Sequence, residues 1–129
     1  MAEAYVILCD TNILIEFYKG RAEVIETLSA VGISNLAVSV VTVGELYYGA
    51  RDKRELRSLC EHLALLRQLL IDTDISVLFL GFLEKYSLSH KLSVPDALIA
   101  ATAVRHSIPL YTKNIKDFRY LPGLTFYPG

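Results

Sequence analysis

This sequence lacks the features that mark secreted and membrane-spanning proteins. It has only 2 cysteines in 129 residues, Cys9 and Cys60, which do not form the dense cysteine pattern that staples small secreted domains. Its longest nearly unbroken apolar run, residues 75–83, is far short of the roughly 20 residues that cross a bilayer. No basic leader or small-residue cleavage site precedes Asp10. We therefore expect a reduced, cytoplasmic protein with no membrane segment.

The chain also lacks an excess of either charge. Its 13 Lys and Arg residues and 14 Asp and Glu residues give a formal net charge of −1. Net charge alone therefore does not indicate a nucleic-acid binder, although acids gathered in one region can mask basic residues gathered in another. A hydrophobic fraction of 53% and a charged fraction of 21% argue against disorder. We expect one domain over residues 1–129, with a substantial hydrophobic core.

Short β-rich runs alternate with helical stretches along the chain. The predicted strands cover residues 5–9, 36–41, 109–112 and 124–128, with an edge strand at 70–72. The predicted helices cover about 10–18, 21–32, a pair within 42–70 that bends near 49–52, 73–92 with Thr73 or Asp74 as its cap, and 95–107, which begins at Pro95. Strands separated by helices indicate a three-layer α/β/α sandwich with a central, mainly parallel sheet.

Acidic residues follow the predicted strands, where each strand gives way to a helix or loop. In a parallel α/β sheet, the crevice at the carboxyl ends of the strands is the usual place for a functional site. We therefore expect these side chains to converge there. They are Asp10 after the first strand, Glu45 in the first turn of the helix after the second, Asp96 in the first turn of the helix that begins at Pro95, and Asp117, together with Asn114, after strand 109–112.

Each of these residues also has a purely structural explanation. Asp10 is a favoured helix cap, Thr42 and Glu45 fit the capping-box pattern in "TVGE", and the helix dipole favours Asp96 in a first turn. Asn114 and Asp117, after strand 109–112, are of residue types common in turns. These explanations do not account for an acid after every buried strand. They also leave Asp10 and Asp96 with apolar flanks, where an unpaired carboxylate is costly or becomes protonated.

A divalent cation would remove this conflict, because it neutralises carboxylates that otherwise repel one another. Ligation by the oxygens of Asp, Glu and Asn points to a hard ion, Mg²⁺ or Mn²⁺. Zinc is not expected, since His62, His90 and His106 lack HExxH-like spacing and the cysteines lack CxxC spacing. We interpret these histidines as surface or structural residues.

Four segments of the chain resemble one known family. They are "CDTNILIEF" (9–17), "VTVGELYYGA" (41–50), "PDALIAATAVRHSIPLYTKNIKDF" (95–118) and "YLPGLTF" (120–126). Together they resemble the PIN domain of VapC-type toxins from bacterial and archaeal toxin–antitoxin pairs. The resemblance covers essentially the whole chain, and residues 95–118 are its most specific part.

This resemblance implies a PIN-like fold and a metal-dependent endoribonuclease that cleaves RNA with a water activated by Mg²⁺ or Mn²⁺. The family's fourth acidic group varies between the positions of Asn114 and Asp117, and we favour Asp117. Glu45 or Asp117 could orient the water or accept its proton. The implied metal ligands and catalytic groups are Asp10, Glu45, Asp96 and Asp117, supported by Asn12, Thr112 and Asn114.

Basic side chains near the acids are candidates for gripping RNA phosphates on either side of the metal. They are Arg51 and Arg54, soon after Glu45, and Lys113 and Lys116, beside Asp117. Each of them also fits a solvated surface. Tyr47, Tyr48 and Tyr120 could stack on bases, although tyrosines in such positions more often fill a core or an interface.

The resemblance also implies partners. In the family a cognate antitoxin, here a VapB-like protein, covers the site, and homodimers are usual. The apolar stretches "LYYGA" (46–50) and "ISVLFLGFL" (75–83) are compatible with such contacts and equally with burial.

Two other classes of function stay open on the sequence. A haloacid dehalogenase or receiver-type phosphotransfer domain also places an Asp after its first strand. The former needs a second Asp where Asn12 stands, and the acid and lysine pattern of the latter is missing. The second alternative is a non-catalytic PIN-like module that binds RNA or protein. It predicts that Asp10→Asn or Asp96→Asn changes neither metal binding nor RNA cleavage.

Overall fold

The computed structural model describes residues 5–128, in which strands and helices alternate. The strands are β1 (Ile7–Cys9), β2 (Leu36–Ser39), β3 (Arg67–Leu69) and β4 (Leu110–Tyr111). The helices are α1 (Thr11–Tyr18), α2 (Ala22–Val31), α3 (Val40–Tyr48), α4 (Lys53–Leu63), α5 (Thr73–His90) and α6 (Val94–His106). Short 3₁₀ helices cover Ile33–Asn35 and Ile115–Asp117.

The four strands form one parallel sheet in the order β3-β2-β1-β4. Side chains alternate between its faces, as the pleat of a strand requires. Ile7 and Val38 pack into a core with α1 to α4, whereas Leu8 and Ala37 pack into a second core with α5 and α6. Helices therefore cover both faces, and the predicted three-layer α/β/α sandwich is confirmed.

The boundary between β2 and α3 differs from the prediction. The strand ends at Ser39, whose hydroxyl accepts a hydrogen bond from the Val41 amide at 3.2 Å and caps α3. The capping box proposed for Thr42 and Glu45 is therefore wrong. Because α3 begins at Val40, Glu45 is its sixth residue and lies in the second helical turn, not the first.

Two of the outer strands also differ from their predicted positions. The edge strand lies at Arg67–Leu69 instead of 70–72, because Asp72 accepts a hydrogen bond from the Ile75 amide at 2.8 Å and is the cap of α5. Neither Thr73 nor Asp74 has that role. The last predicted strand, 124–128, is reduced to one isolated parallel bridge between Leu110 and Phe126.

Helix α6 fills the space between α5 and the sheet and carries one of the candidate acids. It begins at Val94, one residue before the predicted start, and the Ser93 hydroxyl caps it by accepting from the Asp96 amide at 3.2 Å. Proline fits here because the first turn of a helix needs no amide donor from it. No helix among residues 5–128 is long and apolar enough to cross a membrane.

Candidate metal centre

The candidate centre lies at the carboxyl-terminal edge of the sheet. Asp10 directly follows β1, and Asp117 lies in the 3₁₀ helix after β4. Glu45 and Asp96 are carried by the first two turns of α3 and α6. The charges of Glu45 and Asp117 raise the pKa of both Asp10 and Asp96. The fold thus brings the four acids near enough to act on one another electrostatically.

Asp10 is the most buried of these acids, with only 3% of its surface exposed. Its Oδ1 atom accepts a hydrogen bond from the Thr11 amide at 2.8 Å, and its Oδ2 atom accepts one from the Thr112 hydroxyl at 2.8 Å. These two bonds lower the pKa of Asp10. Burial is the larger effect, however, and the pKa is raised overall. The carboxylate is held in place but is not neutralised.

Asp96 is half-buried, and its pKa is raised from 3.8 to about 6. Burial is the largest cause, and the negative charge of Asp10 is the next. The hydrogen bond with Ser93 acts in the opposite direction. Both carboxylates are thus buried close to other carboxylates, and no cationic side chain is among the causes that act on their pKa values.

Glu45 is solvent-exposed, and threonine hydroxyl groups hold its carboxylate in place. The Thr11 hydroxyl donates to Glu45 Oε1 at 2.9 Å and lies 2.8 Å from the hydroxyl of Thr42. Thr11 thereby contacts two acids at once, because its backbone amide binds Asp10.

Asp117 acts on the centre through its charge, whereas Asn114 acts through its backbone hydrogen bonds. Asp117 is exposed, and its negative charge acts on both Asp10 and Asp96. Asn114 contributes its backbone, since its amide donates to the Thr112 hydroxyl at 3.0 Å and its carbonyl accepts from the Asp117 amide at 2.9 Å. The loop after β4 therefore holds Thr112, which in turn holds Asp10.

Some supporting residues were predicted and others were missed. Thr112 contacts Asp10. Asn12 is exposed, and within the described part of the chain its side chain makes no hydrogen bond. Sequence reasoning did not select Thr11, and it assigned Thr42 only to a helix cap. The available signal was the polar Thr42 within an apolar run; the structure shows it fully buried, where a hydroxyl needs a hydrogen-bond partner.

The donor set suits a hard divalent cation. Four carboxylates supply oxygen ligands only, which is the chemistry of Mg²⁺ and Mn²⁺. Among residues 5–128, no three acidic, histidine or cysteine side chains already form a closed ligand cluster. Burial is the largest cause of the raised pKa values of Asp10 and Asp96, and the neighbouring carboxylates add to it; a bound cation would offset both effects.

Two of the histidines lie in aromatic clusters. His62 Nδ1 is 2.7 Å from the Tyr18 hydroxyl, and its ring stacks on Phe17. His90 stacks on Tyr120 with 4.0 Å between the ring centroids. These contacts fit a structural role for both side chains.

The basic residues proposed to bind RNA fall into two groups. Arg51 pairs with Glu55 at 2.9 Å, and Lys113 pairs with Glu23 at 2.7 Å. Arg54 and Lys116 are exposed and have no ion-pair partner among the described residues. Of the three tyrosines, Tyr48 is the most exposed, at 94%; Tyr47 and Tyr120 are partly buried.

A groove of about 830 Å³ adjoins Glu45. Helices α1, α3 and α4 form it, and its walls are mostly apolar. The lining includes Phe17, Tyr18, Leu46, Leu59 and His62, with Glu45 where the groove approaches the acids.

Comparison with known proteins identifies the family. The sequence pattern of the PIN domain matches residues 7–124. The chain is 31% identical over 124 residues to ribonuclease VapC1 of Methanocaldococcus jannaschii, across 94% of this chain and 86% of that protein.

The solved structures that are similar to this one include the following two. A chain in a toxin–antitoxin complex from Klebsiella pneumoniae has 34% identity and a TM-score of 0.78, over 92% of this chain and 95% of that chain. A chain of FitAcB from Neisseria gonorrhoeae has 26% identity and a TM-score of 0.78, over 95% of this chain and 98% of that chain. This protein therefore belongs to the PIN domain family, among its VapC-type members.

Proposed function

We propose that this protein is a metal-dependent endoribonuclease, the toxin of a VapBC-type pair, built as a single domain over residues 1–129. The observation that carries the proposal is the meeting of Asp10, Glu45, Asp96 and Asp117, from four separate segments, at one edge of the sheet. Its similarity to ribonuclease VapC1 supports RNA as the substrate. Family membership also argues against the dehalogenase and receiver alternatives.

Asp10 and Asp96 are the principal metal ligands in this proposal, and Glu45 and Asp117 complete the set. Mg²⁺ or Mn²⁺ at this place would supply a Lewis acid that acidifies water and offsets charge on the phosphodiester. Asp10 is held for this role by the Thr11 amide and the Thr112 hydroxyl. Asp96 has a pKa of about 6 without a cation, so near pH 7 it is mostly ionised and able to bind one.

Glu45 is suited to move a proton. Its Oε1 atom receives the Thr11 hydroxyl hydrogen, which leaves Oε2 to accept a proton from the attacking water. Its exposure also lets it reach a water that arrives with the substrate. Asp117, which is also exposed, is the alternative acceptor.

The RNA backbone is proposed to run past the acids along exposed basic side chains. Arg54 and Lys116 are available for phosphate contacts, whereas Arg51 and Lys113 must exchange a carboxylate partner for a phosphate. That exchange is feasible, because exposed ion pairs of this kind contribute only about 0–1 kcal/mol.

A VapB-like antitoxin, a homodimer and a cytoplasmic location belong to the same proposal. The similar chain from Klebsiella pneumoniae lies in a toxin–antitoxin complex, which supports an antitoxin partner here. The apolar groove beside Glu45 has the shape for a partner segment. An exposed apolar stripe on α5, containing Val77, Leu80 and Leu88, supports self-association.

The test is RNA cleavage by the purified protein with Mn²⁺ or Mg²⁺, before and after EDTA. We expect cleavage that EDTA abolishes and that added metal restores. Asp96→Asn should lower the rate by at least about 100-fold, because loss of a ligand exceeds the 10- to 100-fold typical of a supporting residue. Glu61→Gln, on an exposed part of α4, is the matched control and should cleave like wild type.

The non-catalytic alternative makes the opposite prediction. If wild type and Asp96→Asn cleave equally, the activity belongs to a contaminant or to another site. If neither cleaves a broad panel of RNAs while Mn²⁺ binds, the protein is a metal-binding module without nuclease activity.

A further inference from the structure

Glu45 stands between two different surroundings. On one side are Asp10 and Asp96, whose negative charges repel it. On the other is the groove, which Glu45 itself lines together with Lys19 and the ion pair of Arg51 and Glu55. Glu45 is exposed and lies on one face of α3, so its long side chain has room to turn either way. Without a metal, repulsion by Asp10 and Asp96 favours a Glu45 side chain that turns towards the groove.

Hydrogen bonds from hydroxyl groups oppose the turning of Glu45 towards the groove. The carboxylate of Glu45 can only accept, so the single hydroxyl hydrogen of Thr11 is directed to Oε1, at 2.9 Å. The Thr42 hydroxyl, 2.8 Å away, must then donate to Thr11. Thr42 is fully buried, and this contact gives its hydroxyl a partner. The hydrogen bonds therefore run in one direction, from Thr42 to Thr11 to Glu45.

We propose that Thr11 and Thr42 are positioning residues that hold the Glu45 carboxylate towards Asp10 and Asp96 and away from the groove. This inference rests on the proposed metal-dependent ribonuclease function. Buried Thr42 fixes the orientation of the Thr11 hydroxyl, and Thr11 passes that constraint to Glu45. The pair thus sets the arrangement of the acids before a cation arrives.

Substitution of Thr11 can separate the effect of its contact with Glu45 from the effect of its contact with Asp10. Its backbone amide binds Asp10, whereas its side chain binds Glu45. Thr11→Val keeps the amide and a β-branched side chain of nearly the same shape. It removes the hydroxyl links to Glu45 and to Thr42, and leaves the link to Asp10. Thr11→Ser keeps the hydroxyl and loses a methyl group.

The experiment measures Mn²⁺ binding by calorimetry and RNA cleavage by steady-state kinetics in these variants. Thr11→Val should weaken Mn²⁺ binding and lower kcat, each by about 10- to 100-fold, the range for residues that orient metal ligands. KM for RNA should stay near the wild-type value, because Thr11 does not contact phosphate in this account. Thr42→Val should shift both quantities in the same direction, and Thr11→Ser should stay near wild type.

Thr27→Val is the matched control, since within residues 5–128 the Thr27 hydroxyl bonds only to the Glu23 carbonyl on α2. Thermal unfolding of every variant separates loss of folding from loss of positioning, and crystal structures of Thr11→Val should show Glu45 turned into the groove. Wild-type Mn²⁺ affinity and kcat in folded Thr11→Val and Thr42→Val would overturn the inference and leave the ribonuclease proposal intact. A wild-type protein that neither binds Mn²⁺ nor cleaves RNA would instead overturn the proposed function.

Discussion

Asp10 shows most clearly how single residues prepare this centre. Its carboxylate is 3% exposed and accepts one hydrogen bond on each oxygen. Neither donor, the Thr11 amide or the Thr112 hydroxyl, carries a positive charge. Burial therefore raises its pKa despite both bonds, and the same imbalance raises the pKa of Asp96. The acids are positioned for a cation at the expense of stability in its absence.

Asp96→Asn should therefore stabilise the metal-free protein at pH 7.5 while it removes a ligand. The pKa of Asp96 is 3.8 unfolded and about 6 folded, so the folded state binds more protons between these values. Its unfavourable contribution is fully present above pH 6 and disappears as the pH falls below 3.8. The free energy of unfolding in urea with EDTA, compared between wild type and Asp96→Asn from pH 4 to 7.5, measures this effect.

Asn is close in shape to protonated Asp, so the two proteins should converge in stability near pH 4. Added Mn²⁺ should raise the Tm of wild type at pH 7.5 and leave that of Asp96→Asn nearly unchanged. A stability difference that widens at low pH would contradict the assignment of unbalanced charge to Asp96.

The helices and strands were largely predictable because their signals are local. Buried β-rich runs predicted β1 and β2, and Pro95 indicated the start of α6 to within one residue. The errors arose where two local signals compete. Ser39 and Thr42 are both good caps, and only the packed structure decides that Ser39 caps α3 while Thr42 bonds to Thr11.

The site was only partly predictable from the sequence. Asp10, Glu45 and Asp117 could be selected because each comes soon after a buried strand, and parallel strands bring their carboxyl ends to one edge. Asp96 was selected from its place beside Pro95 in the first turn of a helix. The hydroxyl links were not predictable in the same way. Thr11 is 31 residues from Thr42 and 34 from Glu45, and nothing local in the sequence states which side chains meet across such distances.

The cap of α5 gives a stability prediction confined to one element. Asp72 Oδ1 accepts from the Ile75 amide at 2.8 Å, and Oδ2 lies 3.6 Å from Arg105. Asp72→Ala should lower the free energy of unfolding by about 1 kcal/mol, the typical value of an N-cap. Asp72→Asn keeps a capping oxygen and should lose much less. Urea unfolding measures both, and equal losses would assign the effect to the ion pair with Arg105.

RNA binding is a property of the surface as a whole. The salt dependence of the RNA affinity reports how many contacts are made to phosphates. Lys116→Ala, in an Asp96→Asn background that cannot cleave, should weaken RNA binding. It should also reduce the slope of log K against log salt by about 0.7, the value for one single-stranded phosphate contact. Fluorescence anisotropy at several salt concentrations measures the slope.

Arg67→Ala is the control for this measurement. Arg67 bonds to the Ser34 carbonyl, ahead of β2 and at the opposite edge of the sheet from the acids. An equal change in slope for Arg67→Ala and Lys116→Ala would mean that the RNA does not follow the proposed path.

Self-association is expected to involve α5. Val77, Leu80 and Leu88 are 67%, 61% and 95% exposed and recur at helical spacing. Leu80→Lys should shift a dimer to monomer in sedimentation velocity, because it places a charge within the apolar stripe. Leu65→Lys alters a leucine that is 62% exposed after α4 and should leave the dimer intact. A Leu80→Lys protein that stays dimeric would exclude this face.

For the molecule as a whole, the central claim is that four acids from distant parts of the chain form one divalent-metal site. Anomalous scattering from crystals soaked in Mn²⁺ tests it most directly, because it locates the ion without reference to activity. We predict an anomalous peak within coordination distance of Asp10 and Asp96 in wild type, and none there in Asp96→Asn. A wild-type crystal with no peak among these acids, or with its only peak elsewhere, would contradict the account.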